Sequence, residues 1–145
     1  MIVAIDFGIT NTDVALSNKS QYKFFSIPSK NANESFIDEI ISLVDIDITE
    51  ISQIVVTGGK SNELNESFKG VNLTKISETD AIGYGTKEIY KIENEPFITL
   101  SCGTGTACIH HQDGQFSYIG GIAVGGGTIS GLSKDLLKNA ELKKS

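Results

Sequence analysis

The sequence predicts an α/β protein with a mixed β-sheet, followed by the opening of a second lobe built to the same pattern. Three observations carry this. Short apolar runs rich in β-branched residues, such as IVAI at 2–5 and QIVV at 53–56, have the length and composition of buried strands. Stretches with apolar residues at helical spacing separate the later strands. The chain closes by repeating its opening order of strand, glycine turn, strand, hairpin, strand and helix.

Residues 2–5 form the first strand, and DFGITNT turns the chain. DVAL at 13–16 and YKFFSI at 22–27 add two strands around the SNKSQ turn, completing an antiparallel meander. A helix follows in NANESFIDEIISLVDI, with Asn33 as N-cap and Phe36, Ile37, Ile40, Ile41 and Val44 at helical spacing. QIVVTGG is read as a buried strand ending in glycines, SNELNESF as a short helix and NLTKIS as a strand. ETDAIGYGTKEIYKI is a helix with Ala81, Ile82, Ile89 and Ile92 on or near one face. A meander followed by alternating strands and helices implies a mixed sheet with helices on its faces, the order of a ribonuclease-H-like lobe. This lobe is expected to span residues 1–97.

Residues 98–145 begin the second lobe. Three strands are expected, with turns at 103–105 and at Asp113 and Gly114, the Asp-Gly pair favoured in tight hairpins. The stretch from Gly125 to Thr128 then opens a final helix running to about Leu142. The lobe stops early, so apolar surface around Ile109, Ile119, Ile122, Leu132 and Leu136 is expected to be uncovered and to drive self-association.

Composition bounds the function. A chain of 145 residues, 39% hydrophobic and 21% charged, fits a soluble globular protein. Its net charge of −6 argues against a nucleic-acid backbone or an anionic membrane as the main partner. An anion site made of backbone N–H groups needs no net positive charge. The two cysteines, Cys102 and Cys108, are too few for a disulfide framework or a four-cysteine zinc site, and read as buried free thiols. His110 and His111 are neighbours on a strand, face opposite sides, and read as solvent-facing or interface residues rather than joint metal ligands. Asp6 interrupts the only apolar N-terminal run, so no signal peptide is read, and no segment is long enough to cross a bilayer. A cytoplasmic location is expected.

Three glycine-rich stretches carry the candidate chemistry. In DFGITNTD at 6–13, two strands flank a turn holding Gly8, Thr10, Asn11 and Thr12. Such a turn can aim N–H groups and hydroxyls at a phosphate, while Asp6 at the strand end can hold a hydrated Mg²⁺. SCGTGTA at 101–107 repeats the design. GGGTISGL at 125–132 puts glycines at a helix start, where the helix dipole favours negative charge. An ordinary hairpin is the plainer reading of either loop alone, and packing is a plainer reason for the helix glycines.

The segments IDFGITNTD, VVTGG, SETDAIGYG and LSCGTGTACIHHQDGQFSYIGGIAVGGGTISGL resemble, in order and spacing, the type II pantothenate kinases of the acetate and sugar kinase, heat-shock protein and actin superfamily. The resemblance covers nearly the whole chain as the N-terminal half of such a protein. It implies ATP-dependent phosphorylation of pantothenate, the first step toward coenzyme A, in a homodimer using ATP and Mg²⁺. Asp6 would then lie near Mg²⁺ and the phosphates. Gly8, Thr10, Asn11 and Thr12 would form the first phosphate loop, and Gly103, Thr104, Gly105 and Thr106 the second. Gly125, Gly126, Gly127, Thr128 and Ile129 would line the nucleotide site, and Tyr118, Gly120 and Gly121 the acceptor site. Glu78, at the start of its helix, would be the general base; on the residues alone, Glu78 and Asp80 suit the first turn of a helix through its dipole.

The sequence departs from the family at three points. Ile9 replaces a frequent glycine and Asp13 a usual lysine. Tyr118 stands where an arginine grips the pantothenate carboxylate, and a tyrosine offers one hydrogen bond in place of a charged fork. The alternative reading is therefore a non-catalytic or differently specialised nucleotide-binding relative acting on another small molecule. A third reading is an ATPase that activates a partner enzyme through an iron–sulfur cluster between subunits, against which stands the expected burial of Cys102 and Cys108.

Overall fold

A computed structural model describes residues 1–18 and 21–137. The chain forms two compact units, the first Met1–Glu78 and the second starting at Thr79. In the first, β1 (Ile2–Phe7), β2 (Asn11–Asn18) and β3 (Gln21–Pro28) form the antiparallel meander. Helix α1 (Glu34–Leu43), β4 (Gln53–Thr57), β5 (Ser67–Phe68) and β6 (Val71–Lys75) follow. The sheet order is β3-β2-β1-β4-β6-β5, with β4 parallel to both β1 and β6.

Strand alternation decides the core. Val3, Ile5 and Phe7 of β1, Val14 and Leu16 of β2, and Ile54 and Val56 of β4 share one face. They pack with Phe36, Ile37, Ile40 and Ile41 of α1. Each such side chain is worth about 1.5–3 kcal/mol relative to exposure. Helix α1 starts as expected: Asn33 is extended, and its side-chain oxygen accepts the Phe36 N–H at 2.9 Å.

SNELNESF is not a helix. Ser61–Glu63 makes a single 3₁₀ turn, and Ser67–Phe68 is a strand paired antiparallel with β6. Leu64 and Phe68, four apart, have the helical period, and both are buried. The decisive pair is Lys69 and Gly70, both at positive φ, which closes a two-residue hairpin between Phe68 and Val71.

In the second unit, β7 (Phe97–Cys102), β8 (Thr106–Gln112) and β9 (Gln115–Ile122) form an antiparallel sheet. Asp113 and Gly114, both at positive φ, make the expected tight turn. Helix α2 (Glu78–Tyr90) lies against the inner face of this sheet, where Phe116 meets Gly83 and Tyr84. Gly83 is required there, since a Cβ would fall 2.2 Å from the Phe116 ring. Ala81, Ile82 and Ile92 are half-buried and Ile89 is exposed, so the packed face of α2, centred on Gly83, follows the expected apolar stripe only in part. Helix α3 (Gly126–Leu137) follows; the part of this helix expected at 138–142 lies outside the described residues.

Three further expectations are corrected here. His111 is 1% exposed, its ring stacked on Phe97 at 4.7 Å and tilted on Phe116 at 5.0 Å, with Nδ1 3.2 Å from the Glu95 carbonyl oxygen. Alternation puts it on the inner face, while His110 lies half-buried on the other. Ile109 shares the inner face and is buried as well, whereas Ile119, Ile122, Leu132 and Leu136 are exposed as expected. Cys102 is exposed and Cys108 half-buried, because the outer face, which also carries the exposed Ile98 and Leu100, is uncovered.

Candidate functional site

The first unit gathers Asp6, Asp13, Thr57 and Glu78. Asp6 sits opposite Asp13 across the β1–β2 pair and beside Thr57 across β1–β4, so the three share the face turned away from α1. The residue is open to solvent, yet its carboxyl is partly enclosed. That desolvation, then the Glu78 and Asp13 charges, push its pKa above the usual carboxylate value. Beside it, Thr57 Oγ is buried with no hydrogen-bond partner among the described residues. A divalent cation fits this balance: it would offset facing carboxylates, and Mg²⁺ needs only one or two of them, keeping its waters. Among the described residues no group of three or more histidine, cysteine or acidic side chains is arranged to hold a metal without such waters.

The β1–β2 loop is held from below. Gly8 N–H donates to the Asp6 carbonyl at 3.0 Å. Ser29 Oγ donates to the Gly8 carbonyl and lies 3.0 Å from Thr12 Oγ, while Ser29 N–H donates to the Thr10 carbonyl at 3.2 Å. Thr12 is fully buried, so its hydroxyl is committed inside the fold, whereas Thr10 and Asn11 are exposed. Gly8 is forced, since a Cβ there would fall 2.5 Å from the Asn11 carbonyl oxygen. Ser29 is invisible to sequence reasoning, because a lone serine after a proline carries no motif.

Ionisation of Asp6 opposes folding, so the folded chain holds this proton more tightly than the unfolded one. The resulting stability loss sets in as pH rises from about 3.8 through the raised pKa. Asp6→Asn is therefore expected to stabilise the protein at pH 7. The gain is about 0.2–1 kcal/mol, the scale of like charges opposed across strands, toward the lower end for an exposed pair. Urea melts at pH 7 and pH 3 check this: the gain should vanish at pH 3, and equal stability of both proteins at pH 7 would contradict it.

In the second unit the β7–β8 loop and the start of α3 are one packed structure. Gly103 N–H donates to the Gly105 carbonyl at 2.8 Å, and Gly126 N–H to the Gly103 carbonyl at 2.8 Å. Thr106 Oγ donates to the Val124 carbonyl at 2.8 Å, and Thr128 Oγ to the Ala123 carbonyl at 3.2 Å. A Cβ on Gly125 would lie 2.5 Å from the Gly105 carbonyl oxygen, and one on Gly127 would lie 2.7 Å from Thr104 Cγ2. Packing thus accounts for Gly125 and Gly127. Gly103 differs: a Cβ there would meet nothing within 4 Å. Ile129 is exposed on the first turn of α3. Tyr118 folds its hydroxyl over Gly121, where a Cβ would fall 2.3 Å from that oxygen, while Gly120 is open.

The fold of the chain is shared with solved structures of low sequence identity. It superposes with a TM-score of 0.67 on an activator of 2-hydroxyisocaproyl-CoA dehydratase from Clostridium difficile with bound ADPNP, at 16% identity, covering 95% of this chain and 52% of that one. A ROK family protein from Streptococcus pneumoniae in complex with sucrose gives a TM-score of 0.54 at 14% identity, covering 98% and 64%. In sequence the chain is similar to curated type II pantothenate kinases. It is 34% identical over 145 residues to the one from Bacillus anthracis and 36% identical over 143 residues to one from Bacillus cereus. The matches cover 96% of this chain, which spans about half the length (50%) of these curated relatives. No family model matches the chain.

Proposed function

We propose that residues 1–145 form the N-terminal half of an ATP-dependent kinase that phosphorylates pantothenate to 4′-phosphopantothenate at the entry to coenzyme A synthesis, as a cytoplasmic homodimer. Alone, this half is not expected to turn over. The lobes of this reading are residues 1–97 and 98–145. The loop of Gly8, Thr10 and Asn11, anchored by the buried Thr12, and the loop of Gly103, Thr104, Gly105 and Thr106 would hold the nucleotide phosphates, with Gly125, Gly126, Gly127, Thr128 and Ile129 beside them. Asp6 would hold Mg²⁺, which offsets charge on the transferred phosphoryl group. Glu78 would take the proton of the acceptor hydroxyl. Tyr118, Gly120 and Gly121 would border the acceptor.

The observation that carries this reading is the packing of the β7–β8 loop onto the glycine start of α3, with Gly103 left open to a ligand. Two features favour a second reading, a nucleotide-binding relative with another small-molecule acceptor. Asp13 adds negative charge directly opposite Asp6, and the Tyr118 hydroxyl is turned over Gly121.

Titration of the chain with ATP·Mg²⁺ by calorimetry tests the phosphate loops. Gly103→Val should fold like the parent, since its side chain enters open space. It should bind ATP about tenfold or more weakly, the loss of a hydrogen bond or two to a charged group. A folded variant with unchanged ATP affinity would remove this loop from the nucleotide site.

A further inference from the structure

A cavity of about 410 Å³ opens in the first unit, bounded by Gly8 and Ile9 of the β1–β2 loop, Ser29, Lys30 and Asn31 after β3, and Gly59 and Lys60 after β4. It lies outside the carboxyl ends of β1 and β4, adjacent parallel strands, which is where open α/β sheets bind ligands. Its size is that of a small-molecule site.

The charges around it are specific. All twelve basic residues of this chain are lysines, so no arginine is available to grip an anion. Lys69 and Lys91 are paired with Asp38 and Glu88, and Lys75 Nζ donates to the Asn62 carbonyl at 2.9 Å. Lys30 Nζ is held by both Glu39 oxygens, at 2.6 and 2.7 Å. Among the described residues, Lys60 Nζ donates to a neutral group alone, the Asn31 Oδ1 at 3.2 Å, which does not offset its charge. That contact also orients Asn31, leaving its amide N–H₂ to donate.

We propose that this cavity is a carboxylate subsite, in which Lys60 and Asn31 hold the acid group of the small-molecule acceptor; this deepens, and rests on, the kinase reading above. One uncompensated ammonium and one amide suit a monoanion. A phosphate would favour the backbone donors of the β1–β2 loop at the edge of the cavity, whereas the side-chain donors Lys60 and Asn31 line it from outside that loop. The subsite supplies in the first unit the cation that Tyr118 cannot supply in the second.

The test uses the ¹⁵N-labelled chain titrated with pantothenate, with the neutral alcohol pantothenol and with inorganic phosphate, reading the amide signals of Asn31, Gly59 and Lys60. Pantothenate should shift them and pantothenol should not. Lys60→Met should weaken pantothenate binding about tenfold or more, and Lys60→Arg should largely restore it. Lys60 is exposed, so both variants should keep the parent spectrum elsewhere. Three results would each overturn the proposal: no response to pantothenate, equal binding of pantothenol, or phosphate binding these amides more tightly than pantothenate does. ATP·Mg²⁺ added separately reports at Gly103 and Thr104. Loss of that response alone counts against the kinase reading, while its presence without a pantothenate response counts against the subsite alone.

Discussion

Glu78→Gln is expected to slow phosphoryl transfer by about two to four orders of magnitude, the range for loss of a general base. The measurement needs a protein in which residues 1–145 are joined to the remaining half of a Bacillus relative, assayed with ATP and pantothenate. Glutamine keeps the size of the side chain and much of its hydrogen bonding but cannot accept the proton of an alcohol. Glu78 is the first residue of α2 and exposed, so the change should leave the fold intact. ATP affinity should hold or rise slightly, because removing this charge relieves Asp6, whose pKa Glu78 helps to raise. Wild-type turnover in the variant would return Glu78 to a helix-start residue favoured by the dipole.

Gly58→Val is expected to destabilise the first unit by roughly 3 kcal/mol or more, enough to unfold a marginal domain. Two costs add. Gly58 has φ of +96°, a region in which a β-branched residue is strained by about 1–3 kcal/mol. A Cβ there would also lie 2.5, 2.8 and 2.9 Å from the Phe7 carbonyl oxygen, carbonyl carbon and nitrogen, and backbone cannot swing aside as a side chain can. Overpacking of that kind costs about 1–3 kcal/mol more. Urea denaturation of Gly58→Val beside Gly59→Val supplies the contrast, because a Cβ on Gly59 meets nothing within 4 Å and its φ is not positive. Equal midpoints for the two variants would show that the close approach to Phe7 is not a constraint.

Much of the architecture follows from local patterns. The continuous apolar run of β1, the cap at Asn33, the α1 stripe and the Asp-Gly hairpin are each set by a few neighbouring residues, and each formed as the sequence dictates. The glycine loops were legible too, because few residues besides glycine let a chain turn so tightly beside a helix start. Except at SNELNESF, the sequence alone likewise determined the order of elements, and with it the class of fold.

Contacts between distant segments decided the rest. Leu64 and Phe68 satisfied a helical period, but burial against the first sheet and a hairpin at Lys69 and Gly70 gave a strand. His111 was indistinguishable from His110 by sequence; only the packing of Phe97 and Phe116 on the same face as α2 made it core. Ser29 joins the first loop, and Lys60 its cavity, because β3 ends beside the start of β2 and β4 ends beside β1, a neighbourhood that hydropathy and spacing do not encode. Local pattern fixes which way a residue faces along its own strand. What it faces depends on sheet order and register, which are set by the sum of many burials across the whole unit.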